Sequence, residues 1–305
     1  MQSDLPINRL TSRHEQGRGV TTTVGGGVGE TGVPFGRRLR ETVSRRGPLC
    51  VGIDPHPSLI DAWGLPDDAR GLDSFASIVV EALADRVAVL KPQSAFFERH
   101  GSAGIAVLER CVAAARDCGA LVLLDAKRGD IGSTMAAYAD YLDPAHPLAV
   151  DALTVSPFLG FGSLAPAVAA ARAHGGGLFV LARTSNAEGA QVQLAQAPAG
   201  ASVAQTIIDA IGSINTESSP DGSVGAVIGA TLAQLDVDIS ALGGPVLSPG
   251  LGAQGGAPVH LRQLFGGFSG VLLPSTSREV LRHGPDVAAL RVAARAVAED
   301  LAAAF

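Results

Sequence analysis

The sequence predicts a single-domain (β/α)8 (TIM) barrel. Three observations carry that expectation. Eight short apolar runs recur along the chain, helical-looking stretches rich in Ala lie between them, and polar residues gather where the runs end. The runs are continuously apolar rather than alternating, as in parallel strands buried on both faces. Eight strand–helix units in about 270 residues is the size and count of such a barrel. The rival is a doubly wound open sheet. It usually has fewer strands and a Gly-rich first turn, and "GIDPHP" does not read G-x-G-x-x-G.

In chain order, residues 1–34 stand apart. "GRGVTTTVGGGVGETG" has no hydrophobic period, so this segment is expected to be a disordered extension or an added leader outside the fold. "FGRRLRETVSRRG" can form a short helix leading into the first strand. The expected strands are "LCVGIDP" (49–55), "VAVLKPQ" (87–93), "LVLLDAK" (121–127), "ALTVSP" (152–157), "LFVLART" (178–184), "VGAVIGA" (224–230), "PVLSPG" (245–250) and "GVLLPS" (270–275). Stretches such as "AGIAVLERCVAAARDCG" and "VAQTIIDAIGSI" supply the helices between them. The barrel domain is expected to span residues 35–305.

Composition narrows the function. Apolar residues make up 47% of the chain, ample for a core, and the formal charge is −6 with acids and bases interspersed. That argues against a nucleic-acid surface. No apolar run approaches the ~20 residues of a membrane span, and the N-terminus lacks a signal-peptide core. Cys50, Cys111 and Cys118 form no metal pattern; Cys111 and Cys118 read as small core residues in a reducing compartment, the cytoplasm by default. Trp63, the Met residues and the His residues show no ligand spacing, so no metal site is expected, and His56 in "DPHP" reads as a turn residue.

Asp54, Lys91, Asp125 and Lys127, Ser185 and the Pro249–Gly250 pair all fall at or just past strand C-termini, the face that carries chemistry in barrels. The stretch "LLDAKRGDIGST" holds the sharpest signal. The chain has 21 Arg and only two Lys, Lys91 and Lys127. Asp125 and Lys127 lie two apart and point the same way on a strand. Asp130 falls past the strand, before "IGSTMAAYA", where it could cap a helix. An ion pair plus a helix cap is one reading. The chemical reading is that a Lys between carboxylates supplies the cation they need and is a proton donor, which Arg is not.

"DAKRGDIGST" resembles the D-x-K-x-x-D-I-x-x-T signature of the orotidine 5′-phosphate decarboxylase family. The resemblance runs on through "GIDPHP", "LKPQ", "ARTSN", "SPGLGAQGG" and "STSREVL", over about residues 35–305. "CVGIDPHP", "KPQSAFFE" and "SPFLGFGSL" are similar to a branch found in many bacteria. The resemblance implies a lyase without cofactor, converting orotidine 5′-phosphate to uridine 5′-phosphate. It implies Lys127 as the acid that protonates C6, Asp125 against the departing carboxylate, and a charged array of Lys91, Asp125, Lys127 and Asp130. It implies a homodimer in which the neighbouring subunit contributes Asp130. Gln254 and backbone N–H groups of "PGLGAQGG", with Arg278, would hold the phosphate, as loops after strands seven and eight commonly do in barrels. The family commonly has Gly before this arginine; this chain has Ser277. Ser185 would read the pyrimidine edge. Asp54 and Thr134 would contact the ribose, Thr134 from across the dimer. Two alternatives share parts of this pattern. One is a magnesium-dependent sugar-phosphate decarboxylase or aldolase, which places an acidic metal ligand where this chain has Lys91. The other is a non-catalytic barrel that binds a nucleotide or sugar phosphate, which has no need of a buried proton donor.

Overall fold

A computed structural model describes residues 32–198, 200–253 and 255–305. Of the expected N-terminal extension, residues 1–31 lie outside the described residues. The strands are β1 (Cys50–Ile53), β2 (Val89–Pro92), β3 (Leu121–Arg128), β4 (Ala152–Val155), β5 (Gly177–Arg183), β6 (Val224–Ile228), β7 (Val246–Pro249) and β8 (Leu272–Thr276). Each sits within or overlaps one of the expected apolar runs. They close in sequence order into a parallel barrel, with β1 paired to both β2 and β8. Every residue of β1, β2, β4 and β6 is buried. Such strands have no wet face, which is why their sequences do not alternate.

The helices wrap outside the barrel and bury their apolar stripes against it. Helix Gly101–Asp117 turns Val107, Leu108, Cys111, Val112 and Ala115 inward, near the spacing one helical face requires. Asp68, Ser202 and Asp286 cap the helices that follow them by accepting backbone N–H groups, which satisfies donors the helix itself cannot. Cys118, expected in the core, is exposed at the end of its helix, while Cys111 is buried. Asp130 does not cap a helix either. The helix Gly132–Ala139 starts after Ile131 without a side-chain cap. Among the described residues no helix is long and apolar enough to cross a membrane.

The N-terminal helix Phe35–Arg46 closes the end of the barrel where the strands begin. Phe35 and Leu39 join the interior cluster with Val89, Leu123, Phe179 and Leu273. The Phe35 ring meets Phe179 edge-on with centroids 6.0 Å apart, a favoured aromatic geometry. Gly177 makes room for it: a methyl there would stand 2.2 Å from the Phe35 ring. Arg38 pins the helix by pairing with Asp151 at 2.6 Å, and Asp151 also accepts the Val122 N–H at 2.9 Å. The floor of the barrel interior is thus plugged by side chains, and the interior cavity opens at the opposite mouth.

Truncating that plug should be expensive. Phe35 is 1% exposed, and Phe35→Ala is expected to cost about 3–5 kcal/mol, the range for emptying a buried aromatic site. Urea denaturation measures it as a lower midpoint with an unchanged slope.

Candidate active site

The mouth holds a cavity of about 270 Å³. Its walls come from strand ends and the loops after them: Asp54 and His56 after β1, Lys91 and Gln93 at β2, Asp125 and Lys127 on β3, and Thr154 on β4. The far side is built from Thr184, Pro249, Gly250, Ser275, Ser277 and Arg278. Residues that are far apart in the sequence therefore meet because all eight strands end on one rim.

Asp125 is the centre of the site. Its Oδ2 accepts from Lys91 Nζ at 2.7 Å, and its Oδ1 from Lys127 Nζ at 2.6 Å and from the Thr154 hydroxyl at 2.9 Å. The side chains of Lys91 and Asp125 are only 7% and 9% exposed, whereas that of Lys127 is 46% exposed. The expected buried proton donor is therefore half open at the mouth, and Lys91 is the buried cation. Burial by itself raises the Asp125 pKa, but Lys91 and then Lys127 outweigh it and hold the carboxyl well below the usual carboxylate range. Burial likewise works against the Lys91 charge, and the Asp125 and Asp54 carboxylates outweigh it, so the ammonium is held above its ordinary value. Both groups are ionised at neutral pH.

Local backbone geometry sets this up. The β3–β4 register shifts between Leu124 and Arg128, and at this bulge Lys127 takes φ 48°. Lys127 is the only non-glycine with positive φ among the described residues. Such a backbone costs of order 1–3 kcal/mol and tends to be found where function demands it. Cys50 lies nearby on β1. Burial foremost pushes its thiol up to about 11, so it is inert as a nucleophile at neutral pH.

The other expected residues divide. Asp54, Pro249, Gly250 and Arg278 line the cavity. Asp54 Oδ1 and Ser277 Oγ are buried without a hydrogen-bond partner among the described residues, so both have bonding capacity left for a ligand. Arg278 is exposed and makes no ion pair among the described residues. Gln254 lies outside the described residues. The glycine loop differs from expectation: the N–H groups of Gly250, Leu251, Gly252, Gly255 and Gly256 are bonded to carbonyls of the loop or of Ser275. Those donors are consumed in shaping the loop.

Ser185 is exposed, and Gly229 backs closely onto it. Its neighbour Thr184 is the one that lines the cavity. Asp130 and Thr134 do not line their own chain's cavity; Asp130 accepts the Ile131 N–H at 2.7 Å, and Thr134 is exposed. His56 does precede a helix, as a turn residue would, but its ring also packs edge-on against Phe96 and faces the cavity. Thr154, Thr184 and Gln93 were not singled out by sequence reading. A Thr inside a strand carries no signal until the residue facing it is known.

The fold and the site define a (β/α)8-barrel enzyme with a lysine–aspartate–lysine centre at its mouth. The family described as "Orotidine 5'-phosphate decarboxylase / HUMPS family" matches residues 47–293. An orotidine 5′-phosphate decarboxylase of Salinispora tropica is 60% identical over 272 residues, covering 89% of this chain and 98% of that protein. One from Streptomyces coelicolor is 58% identical over 269 residues, covering 88% and 97%. A crystal structure from Streptomyces avermitilis superimposes with a TM-score of 0.86 at 58% identity, covering 89% of this chain and 96% of that one. The chain belongs to the orotidine 5′-phosphate decarboxylase / HUMPS family.

The charge balance at Asp125 yields a stability test. A carboxyl held below its unfolded value stabilises the fold above about pH 4, and that contribution drains away as pH falls toward the folded value. Asp125→Asn removes it and leaves the Lys91 ammonium buried against a neutral amide. The expected cost is about 3–5 kcal/mol at neutral pH, as for breaking other buried pairs. Urea midpoints at a series of pH values should show a smaller acid-side loss in the variant than in the parent.

Proposed function

We propose that the barrel mouth decarboxylates orotidine 5′-phosphate to uridine 5′-phosphate, a step of de novo pyrimidine synthesis. The observation that carries this reading is the Lys91–Asp125–Lys127 array, with both salt bridges under 3 Å. Asp125 faces the substrate carboxylate. Two carboxylates ~4 Å apart repel by roughly 4 kcal/mol at an effective dielectric near 20. Lys91 keeps Asp125 ionised and in place. The bond from C6 to the carboxyl carbon breaks, CO2 leaves, and the electron pair stays on C6. Lys127 stabilises that pair and gives C6 a proton from Nζ, then regains one from solvent. The half-open position of Lys127 suits a group that must reach substrate.

Arg278 and Gln254 hold the phosphate; the planar guanidinium matches two phosphate oxygens. Asp54, with its free carboxylate oxygen, takes a ribose hydroxyl, and Ser185 or the adjacent Thr184 meets the pyrimidine edge. No cofactor enters this scheme. The magnesium-dependent rival wants an acidic ligand at the end of β2, where this chain has the ammonium of Lys91.

The functional unit in this reading is a cytoplasmic homodimer in which Asp130 and Thr134 complete the partner's site. Two observations support it. Neither residue lines its own cavity. Beside them Ile131, Phe158 and Leu159 are 63%, 77% and 53% exposed, and these loops touch, since Ser156 N–H bonds Arg128 O at 2.7 Å. Large apolar side chains gathered on a surface mark an interface.

Loss of absorbance on mixing the purified protein with orotidine 5′-phosphate tests the activity. Lys127→Ala is expected to melt like the parent and to lose turnover by at least about a thousandfold, some 4 kcal/mol of barrier. Residual turnover within about tenfold of the parent would remove Lys127 from the role of acid.

The shared site has its own test. Lys127→Ala and Asp130→Ala are each expected to be inactive. In a hybrid dimer of the two, one site regains both groups and the other lacks both. Random reassortment then restores roughly a quarter of parent activity under two-fold pairing. No recovery, with hybrids demonstrated, would place Asp130 in its own chain's site.

A further inference from the structure

We propose that Thr154 is a positioning residue for the reaction, whose hydroxyl holds both the Asp125 carboxylate and the backbone of Lys127. The proposal rests on the decarboxylase reading above.

Thr154 sits on β4, 1% exposed, with its hydroxyl at the cavity wall. Lys127 N–H donates to Thr154 Oγ1 at 2.9 Å. An N–H can only donate, so the hydroxyl accepts there and its single proton is free for another bond. It goes to Asp125 Oδ1, also 2.9 Å away. Asp125 is ionised and can only accept, so the direction of both bonds is locked.

This matters because of where the bonds lie. Leu124 pairs with Leu153 and Arg128 with Val155. Three residues of β3 (125 to 127) therefore face one residue of β4, Thr154. Ladder bonds cannot span that mismatch, and the Thr154 hydroxyl takes their place. It anchors the one non-glycine residue in the left-handed region among the described residues, a conformation that persists only when the surroundings hold it. It also supplies the third donor to Asp125, from a third strand: Lys91 comes from β2, Lys127 from β3 and Thr154 from β4. Both lysines are flexible cations, whereas the Thr154 hydroxyl is carried on a short, branched, buried side chain. With it, the carboxylate cannot turn away when a substrate carboxylate approaches.

Thr154 is not in the phosphate or ribose region of the scheme, so its loss should act on the chemical step. Thr154→Val preserves shape and removes the hydroxyl. It is expected to lower kcat by roughly ten- to a hundredfold, the scale of a small misplacement of reacting groups, while KM and uridine 5′-phosphate affinity stay within about threefold. Thr154→Ser keeps the hydroxyl and should return kcat to within about threefold of the parent. In a crystal structure of Thr154→Val, the Asp125 carboxylate should rotate or Lys127 should leave positive φ. The proposal is overturned if kcat of Thr154→Val matches the parent. It is equally overturned if Thr154→Ser is as impaired as Thr154→Val, if product affinity falls along with kcat, or if Asp125 and Lys127 do not move in the variant. A parent protein inactive on orotidine 5′-phosphate, with the array displaced in Thr154→Val, would sink the decarboxylase reading and leave the positioning role standing.

Discussion

A carboxylate that is almost out of water must be matched by cations, and the rest of this site follows from that requirement at Asp125. Its side chain is 9% exposed and sits between two ammonium groups. Removing such a charge from water costs several kcal/mol before any pairing. The pairing therefore has to be close and fixed in direction. Lys91, itself buried, is kept charged by Asp125 with Asp54 beside it, and Lys91 in turn keeps Asp125 ionised. The chain writes nearly all its positive charge as Arg, yet both of its lysines are in this one array. An ammonium can deliver a proton to carbon and a guanidinium cannot do so readily, which gives chemical sense to that distribution.

The barrel makes the fixed direction possible. Three neighbouring parallel strands deliver Lys91, Asp125 with Lys127, and Thr154 to one rim. Close packing under the site resists any shift of those strand ends. Phe35, Leu39 and Phe179 fill the opposite end, so the charged groups rest on a solid apolar column rather than on water. The bulge in β3 then turns Lys127 toward the mouth, at the cost of a strained backbone. Stability is given up locally at Lys127, whose side chain lines the cavity, and the surrounding packing compensates.

The mouth divides into a rigid polar centre and a looser rim. At the centre the Asp125 carboxylate accepts three hydrogen bonds. Around it, Asp54 and Ser277 keep unpaired buried oxygens and Arg278 keeps an unpaired guanidinium among the described residues. Groups that lack partners in a free protein are available to a ligand, and the proposed substrate offers a reacting carboxylate to the centre and a remote phosphate to the rim. Binding at the remote arm can then be used at the reacting centre.

The eight strands were legible because a strand buried on both faces must be apolar throughout, and runs of that kind stand out against amphipathic helices. The charged array was legible because Lys91, Asp125 and Lys127 sit at the ends of those runs, and because lysine is so rare in this chain. Position along a strand does not say which residue faces the cavity once the register slips. Hence Thr184 rather than Ser185 lines it, and Asp130, which looked like a helix cap, accepts the N–H of its neighbour Ile131 instead. The glycine loop was open to the same ambiguity: its composition suggests free N–H donors, and only the closed loop reveals that several of them bond to its own carbonyls. The sequence by itself determined the barrel, the two lysines and the aspartate between them, since each depends on residue type and local period. The tertiary structure alone decided which hydroxyl fills the gap in the β3–β4 ladder and which groups remain unpaired, because hydrogen bonds between strands depend on angstrom-scale register that no local pattern encodes.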